Sequence, residues 1–139
     1  MSLQQMLNTH PLHQQENTSI SDGVDSVALL AAVKALVECA QTCTACADAC
    51  LSEDAVEPLK RCIRTNQDCA DMCTTTANTL IRRTAVDPHY TRALLETCRL
   101  ICALCAQECE KHSHDHCRIC AQACRQAERA CTELLANLT

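Results

Sequence analysis

The chain has 139 residues, a formal net charge of -5, 15 cysteines, one glycine and a single aromatic residue, Tyr90. That length makes one domain whose core needs no disulfide staples, and the acidic balance leaves no basic footprint for nucleic acid or an anionic membrane. With no Phe and no Trp, the interior lacks the volume that aromatics ordinarily supply, so something else must fill it.

Residues 1–20 are polar, with His10-Pro11 as a breaker, and read as a tail or a short extra helix ahead of a helical domain over 21–139. The opening MSLQQMLNTHPLHQQ has no positive n-region, apolar h-region or twin-arginine pair, which points to the cytoplasm. In that reducing compartment clustered cysteines serve more often as metal ligands or redox centres than as bridges. An odd number, 15, also fits poorly with complete pairing. No apolar run approaches the ~20 residues of a membrane-spanning helix, so no membrane partner is expected.

Ser21 or Asp22 can cap a first helix that begins near Asp25 and runs to about Leu51. Ser52, Glu53 and Asp54 mark a turn, and Pro58 falls in or near the first turn of a second helix that continues to about Thr84. Asp87-Pro88 reads as an N-cap followed by proline at the first helical position, opening a third helix to about Lys111. Ser113 can cap a fourth, ending near Leu138. Few breakers and abundant Ala, Leu, Glu and Gln make the chain all-α. Long helices joined by short turns predict an antiparallel up-down-up-down four-helix bundle with a cysteine-lined core.

The cysteines carry the strongest signal. Cys39, Cys43, Cys46 and Cys50 fall on the first helix, and Cys62, Cys69 and Cys73 on the second, with Asn66 in the missing slot. Cys98, Cys102, Cys105 and Cys109 fall on the third. Cys117, Cys120, Cys124 and Cys131 fall on the fourth, with Ala127 in the slot. Steps of three and four define the inward stripe of a bundle helix, and all 15 cysteines lie on these stripes. Leu29, Leu36, Leu59, Leu80, Leu95, His112, Leu134 and Leu138 extend the same seams. Aliphatic and cysteine segments swap order between successive helices. Antiparallel packing therefore gathers Leu29, Val33, Leu36, Leu80, Ile81, Leu94, Leu95, Leu134 and Leu135 into a plug at one end. The rest is a tube lined with sulfur.

One or two buried cysteines act as small hydrophobes, but a whole seam of them raises a problem of volume. Each large core side chain replaced by a small one typically costs ~2–5 kcal/mol, against a total stability of ~5–15 kcal/mol. Either the helices close in tightly or a ligand fills the space. Soft thiolates select Cu(I), zinc or iron–sulfur clusters. Residues three or four apart on a helix have Cβ atoms ~5–6 Å apart, a spacing that lets two sulfurs clamp a low-coordinate ion. If each thiolate bridges two Cu(I) ions and each ion takes two thiolates, the dry core is neutral, at roughly one ion per cysteine. Zinc needs closed sets of four and would leave the core negative, and iron–sulfur clusters need cysteines converging on one point.

The link between the third and fourth helices, CEKHSHDHC, places His112 on the seam beyond Cys109 and puts His114 and His116 beside Cys117. Imidazole can pass a metal inward to thiolates, and His112 is favoured by its seam position, whereas His114 reads as a solvated turn residue. Asn66 reads as a polar residue fixing register. No role falls to His10, His13 or His89.

The stretches CAQTCTACADAC, CIRTNQDCADMC and CRLICALCAQECEKHSHDHCRICAQAC resemble the cytosolic branch of the bacterial copper storage proteins, over about residues 37–131. The resemblance implies many Cu(I) ions on core thiolates, a histidine-bearing open end with His112 and His116 at the matching positions, and a tetramer of bundles. Asn66 and Ala127 depart from the full cysteine pattern. The expected function is storage of Cu(I), with copper donor or acceptor proteins or small thiols as exchange partners. The alternatives are a zinc or general thiolate buffer, or a thiol redox protein. An oxidoreductase needs an activated, partly exposed cysteine, and here every candidate points inward, so no enzyme is expected.

Overall fold

The protein's structure, a computed structural model, describes residues 2–14 and 25–138. Two short helices, α1 (Leu3–Asn8) and α2 (Pro11–Gln14), precede four long ones: α3 (Ser26–Leu51), α4 (Lys60–Leu80), α5 (Pro88–Cys109) and α6 (Asp115–Ala136). A 3-10 turn over Glu57–Leu59 leads into α4, and no strand occurs among the described residues. A capping box opens α1, with Ser2 and Gln5 exchanging backbone-to-side-chain bonds of 2.7 and 3.1 Å.

Asp25 itself caps α3 by accepting from the Val27 amide at 3.2 Å; Ser21 and Asp22 lie outside the described residues. Asp87 caps α5 with two bonds, from the amides of His89 and Tyr90, as the Asp-Pro pair predicts. Two boundaries differ from expectation. Helix α4 stops at Leu80 rather than Thr84, because Arg83 turns back to donate to the Leu80 carbonyl at 3.0 Å and Ala85 adopts a left-handed φ of 54°. At the start of α6, His114 rather than Ser113 occupies the N-cap, in extended conformation and with no side-chain cap bond. Its imidazole faces Glu53 at 3.4 Å instead.

Helix α3 packs on α4 and α6, α4 packs on α5, and α5 packs on α6, which closes a ring of four. The sulfur contacts give the register. Cys39 and Cys43 meet Cys124 while Cys46 meets His116. Cys62 meets Cys109 while Cys73 meets Cys98. Rising numbers on one helix thus pair with falling numbers on its neighbour, the antiparallel up-down-up-down arrangement. At one end Leu29, Val33, Leu36, Leu80, Leu95, Leu134 and Leu135 form the buried aliphatic plug, while Ile81 and Leu94 are only half-buried.

One reading of the sequence needs correction. By length and a mean hydropathy of 1.4, α3 is apolar enough to cross a membrane. Its cysteines and alanines supply that apolarity, and the fold spends them on the seam: Leu36, Cys39, Cys43 and Cys50 are fully buried against the other helices.

Candidate metal centre

All 15 cysteines are free thiols and all are buried, none more than 2% exposed. They sit there because each helix turns its three-and-four stripe to the axis of the ring, and because the buried alanines Ala40, Ala70, Ala106 and Ala121 beside them let the backbones approach.

The sulfurs touch in a continuous column. Cys39 lies 3.8 Å from Cys43, 3.9 Å from Cys69 and 3.8 Å from Cys124. Cys43 lies 3.5 Å from Cys124 and 3.6 Å from Cys120. Cys69 and Cys73 approach Cys102 at 3.8 and 3.6 Å, and Cys73 approaches Cys98 at 3.9 Å. Toward the open end, Cys62 and Cys109 are 3.7 Å apart. These gaps are far above a disulfide bond of ~2.05 Å and close to the ~4.0 Å that separates sulfurs around a three-coordinate metal with bonds of ~2.3 Å.

The donor atoms group into sets lying within 4.8 Å of one another. Among them are Cys39–Cys69–Cys73–Cys102, Cys39–Cys43–Cys69–Cys124, Cys43–Cys105–Cys120–Cys124 and Cys46–Cys109–Cys120. Consecutive sets share members: Cys39 and Cys69 belong to two, as do Cys43, Cys120 and Cys124. A sulfur that belongs to two sets is placed to bridge two ions were both sets filled. This is the arrangement that a neutral one-to-one column of monovalent metal requires, and separate closed zinc sites do not.

Asn66 stands in the middle of the column, fully buried. Its Oδ1 accepts from the thiols of Cys105 at 3.0 Å, Cys120 at 3.1 Å and Cys109 at 3.6 Å, and its Nδ2 donates to Cys62 Sγ at 3.6 Å. It therefore ties three helices together through protonated sulfurs, a more specific part than a polar residue holding register.

At the mouth, His116 Nδ1 faces Cys46 at 3.5 Å, Cys117 at 3.6 Å and Cys50 at 3.9 Å, and these four residues form a further donor set. Its Nε2 bonds Glu53 Oε2 at 2.9 Å, and His114 stacks on its ring with centroids 5.2 Å apart. Glu53 reads in the sequence as a turn acid. No local signal marks it as the residue that orients His116, because the contact spans 63 positions. His112, the seam histidine, pairs through Nε2 with Glu108 Oε2 at 3.0 Å, and Lys111 holds the other oxygen at 3.3 Å. The fold thus brings His116 to the sulfurs and gives His112 a carboxylate partner.

Burial, with the neighbouring Cys46, pushes the Cys50 thiol up to about 11 and Cys117 up to about 12. Deeper in, hydrogen bonds with neighbouring cysteines and then burial hold Cys43 and Cys73 above the ordinary thiol range. Burial disfavours protonation of His116, but contacts with Cys46 and Glu53 outweigh it and leave the imidazole above its usual value.

Among known proteins, a sequence model of the copper storage protein family matches residues 26–136. The copper storage protein Ccsp from Streptomyces lividans, solved loaded with 10 copper equivalents, is 48% identical, covers 99% of this chain and 100% of its own, and superposes with a TM-score of 0.91. A structure of a cytosolic copper storage protein from Streptomyces lividans with five coppers is 53% identical over 81% of this chain and 96% of its own, with a TM-score of 0.80. The Cu(I)-bound copper storage protein of Bacillus subtilis is 30% identical over 78% of this chain and 98% of its own, with a TM-score of 0.71.

Proposed function

The chain belongs to the copper storage protein family, and from that premise we propose that its sulfur column takes up Cu(I) ion by ion, to about one per cysteine, and holds it as bridged thiolates. Copper is cargo here, and the family stores it rather than transforming it. The ligands are the 15 cysteines, from Cys39 to Cys131, with His116 as the nitrogen ligand at the mouth. His112 stands beside the mouth as a relay once Glu108 releases it. The observation that carries this reading is the sharing of cysteines between consecutive donor sets, since a shared thiolate places ions a few ångströms apart without building up charge.

The reading extends to the setting. Residues 21–139 act as the storage domain, preceded by the segment 1–20, and the bundles associate as a homotetramer. The protein works in the cytoplasm, as its Streptomyces relative is described to do. There it exchanges copper with small thiols or with donor and acceptor proteins.

The test is an anaerobic titration of the reduced apoprotein with Cu(I) against a coloured Cu(I) chelator, with metal analysis and native mass measurement alongside. Close to one equivalent per cysteine held before the chelator competes, with zinc displaced, is the expected result. Saturation at one to four equivalents would mean a discrete site and would refute storage.

A further inference from the structure

Glu53 lies in the turn after α3, where its amide donates to the Cys50 carbonyl at 3.3 Å. Its backbone is thereby tied to a residue whose sulfur lies 3.9 Å from His116 Nδ1. From there the carboxylate crosses to the start of α6. Its Oε2 lies 2.9 Å from His116 Nε2 and 3.4 Å from His114 Nδ1. The two rings stack with their planes 3° apart. One carboxylate oxygen thus holds two imidazoles, and one of them covers a face of the other.

A carboxylate only accepts, and a neutral imidazole carries one N–H and one bare nitrogen. With Glu53 Oε2 at 2.9 Å, the ring proton of His116 belongs on Nε2. The bare nitrogen is then Nδ1, which faces Cys46 at 3.5 Å, Cys117 at 3.6 Å and Cys50 at 3.9 Å. With the proton on Nδ1 instead, the ring would donate to sulfur and turn its lone pair away from the column, offering an entering ion no nitrogen. Metal-ligating histidines ordinarily give their far N–H to a carboxylate, a carbonyl or water, which fixes the tautomer and makes the ligand nitrogen more basic. Glu108, the buried acid near the mouth, is engaged with His112 and Lys111, and Glu53 takes this part for His116.

We propose that Glu53 is a positioning residue for copper entry: it holds His116 with Nδ1 bare and aimed at Cys46, Cys50 and Cys117, so that an ion at the mouth meets nitrogen and sulfur together. It acts through His116 and is not itself a ligand, since a carboxylate oxygen is too hard to compete with thiolates for Cu(I). His114, stacked on the same ring and sharing the same oxygen, keeps the ring from turning. The inference rests on the reading of His116 as the nitrogen ligand at the mouth.

The experiment is a double-substitution cycle in the full, reduced chain: the parent, Glu53→Ala, His116→Ala and the two together. Glu53 is only half-buried, so its truncation leaves the bundle intact. Glu57→Ala is the control, removing an equal charge from the same interhelical link, where Glu57 pairs with Lys60 at 2.8 Å. Three quantities are read: the rate of Cu(I) uptake by stopped-flow absorbance, the copper retained against increasing chelator, and the His116 ring proton by nitrogen-edited NMR of the histidine-labelled apoprotein. Glu53→Ala is expected to slow uptake and to surrender about one equivalent at ~10–100-fold lower chelator, the usual cost of losing such a partner. The rest of the column should fill as in the parent, and the Nε2 proton signal should be lost to exchange with water. Added to His116→Ala, Glu53→Ala should change nothing further, because no ring is left to position. Glu57→Ala is expected to behave as the parent.

Four results overturn the proposal: Glu53→Ala taking up and holding copper like the parent, a further loss when it is added to His116→Ala, an equal loss in Glu57→Ala, or a His116 proton found on Nδ1 in the parent. The second and third would mean that the acid acts by its charge alone, drawing cations to the mouth. A parent chain that itself holds only a few equivalents would refute storage instead, a result visible before any variant is compared.

Discussion

Asn66→Cys separates what the amide does for the empty protein from what sulfur does for the filled one. The Asn66 carbonyl accepts two short thiol bonds, from Cys105 at 3.0 Å and Cys120 at 3.1 Å. At a net ~0.5–1.5 kcal/mol each, their loss destabilises the apoprotein by about 1–3 kcal/mol. For a domain of this size that lowers the melting temperature by roughly 3–10 °C. The same substitution completes the α4 stripe between Cys62 and Cys69 and adds a thiolate to the middle of the column, so copper capacity rises by about one equivalent. Apo stability and capacity thus move in opposite directions, and anaerobic melting and Cu(I) titration of one preparation read both. An unchanged melting temperature would mean that Oδ1 does not hold those thiols. A fall in capacity would mean that the column depends on the amide and not on the count of sulfurs.

Other perturbations probe the mouth, the protons and the turn. His116→Ala removes the nitrogen that faces Cys46, Cys50 and Cys117; it should slow copper uptake and cost about one equivalent, and stopped-flow absorbance of the copper–thiolate band at an unaltered rate would exclude a mouth role. Cys50 and Cys117, pushed up to about 11 and about 12, are protonated at neutral pH, so copper bound by these two must displace their protons. Proton release on copper binding at the mouth, with retention there against chelator weakening as pH falls, is expected in a weakly buffered titration, and copper uptake without proton release would refute it. Ala85 pays for its left-handed φ of 54° with ~1–2 kcal/mol, part of which glycine's looser unfolded chain takes back. Ala85→Gly should therefore stabilise the apoprotein by about 0.5–1 kcal/mol in denaturant, and a loss of stability would show the turn to be unstrained.

The sequence makes legible whatever depends on helical period and on pairs close in the chain. The stripe from Cys39 to Cys50, the cap at Asp87 and the plug at Leu29, Leu36, Leu95 and Leu134 all follow from spacing alone. Contacts closed by tertiary packing do not. The Glu53–His116 bond joins the turn after α3 to the first turn of α6, which meet only when the bundle is assembled. Seam position favours His112, yet the chain turns there, and Glu108, one helical turn back, competes for its ring at 3.0 Å.

The structure also decides between the two ways of filling a core built from cysteine. Sulfur contacts of 3.5–3.9 Å are van der Waals contacts, so the helices close in tightly. A metal between two sulfurs needs them ~4.0 Å apart when three-coordinate and ~4.6 Å when linear, for bonds of ~2.3 Å. The contacts therefore already suit three-coordinate ions to within a few tenths of an ångström, whereas a linear ion parts its two sulfurs by about 1 Å. The leucines Leu36, Leu80, Leu95 and Leu134 clamp one end, whereas the other ends in turns and a half-buried His116. Expansion at the mouth meets less resistance than expansion at the plug. Affinity along the column then reflects metal–sulfur bonding less the work of parting the helices, a cost that grows toward the blind end.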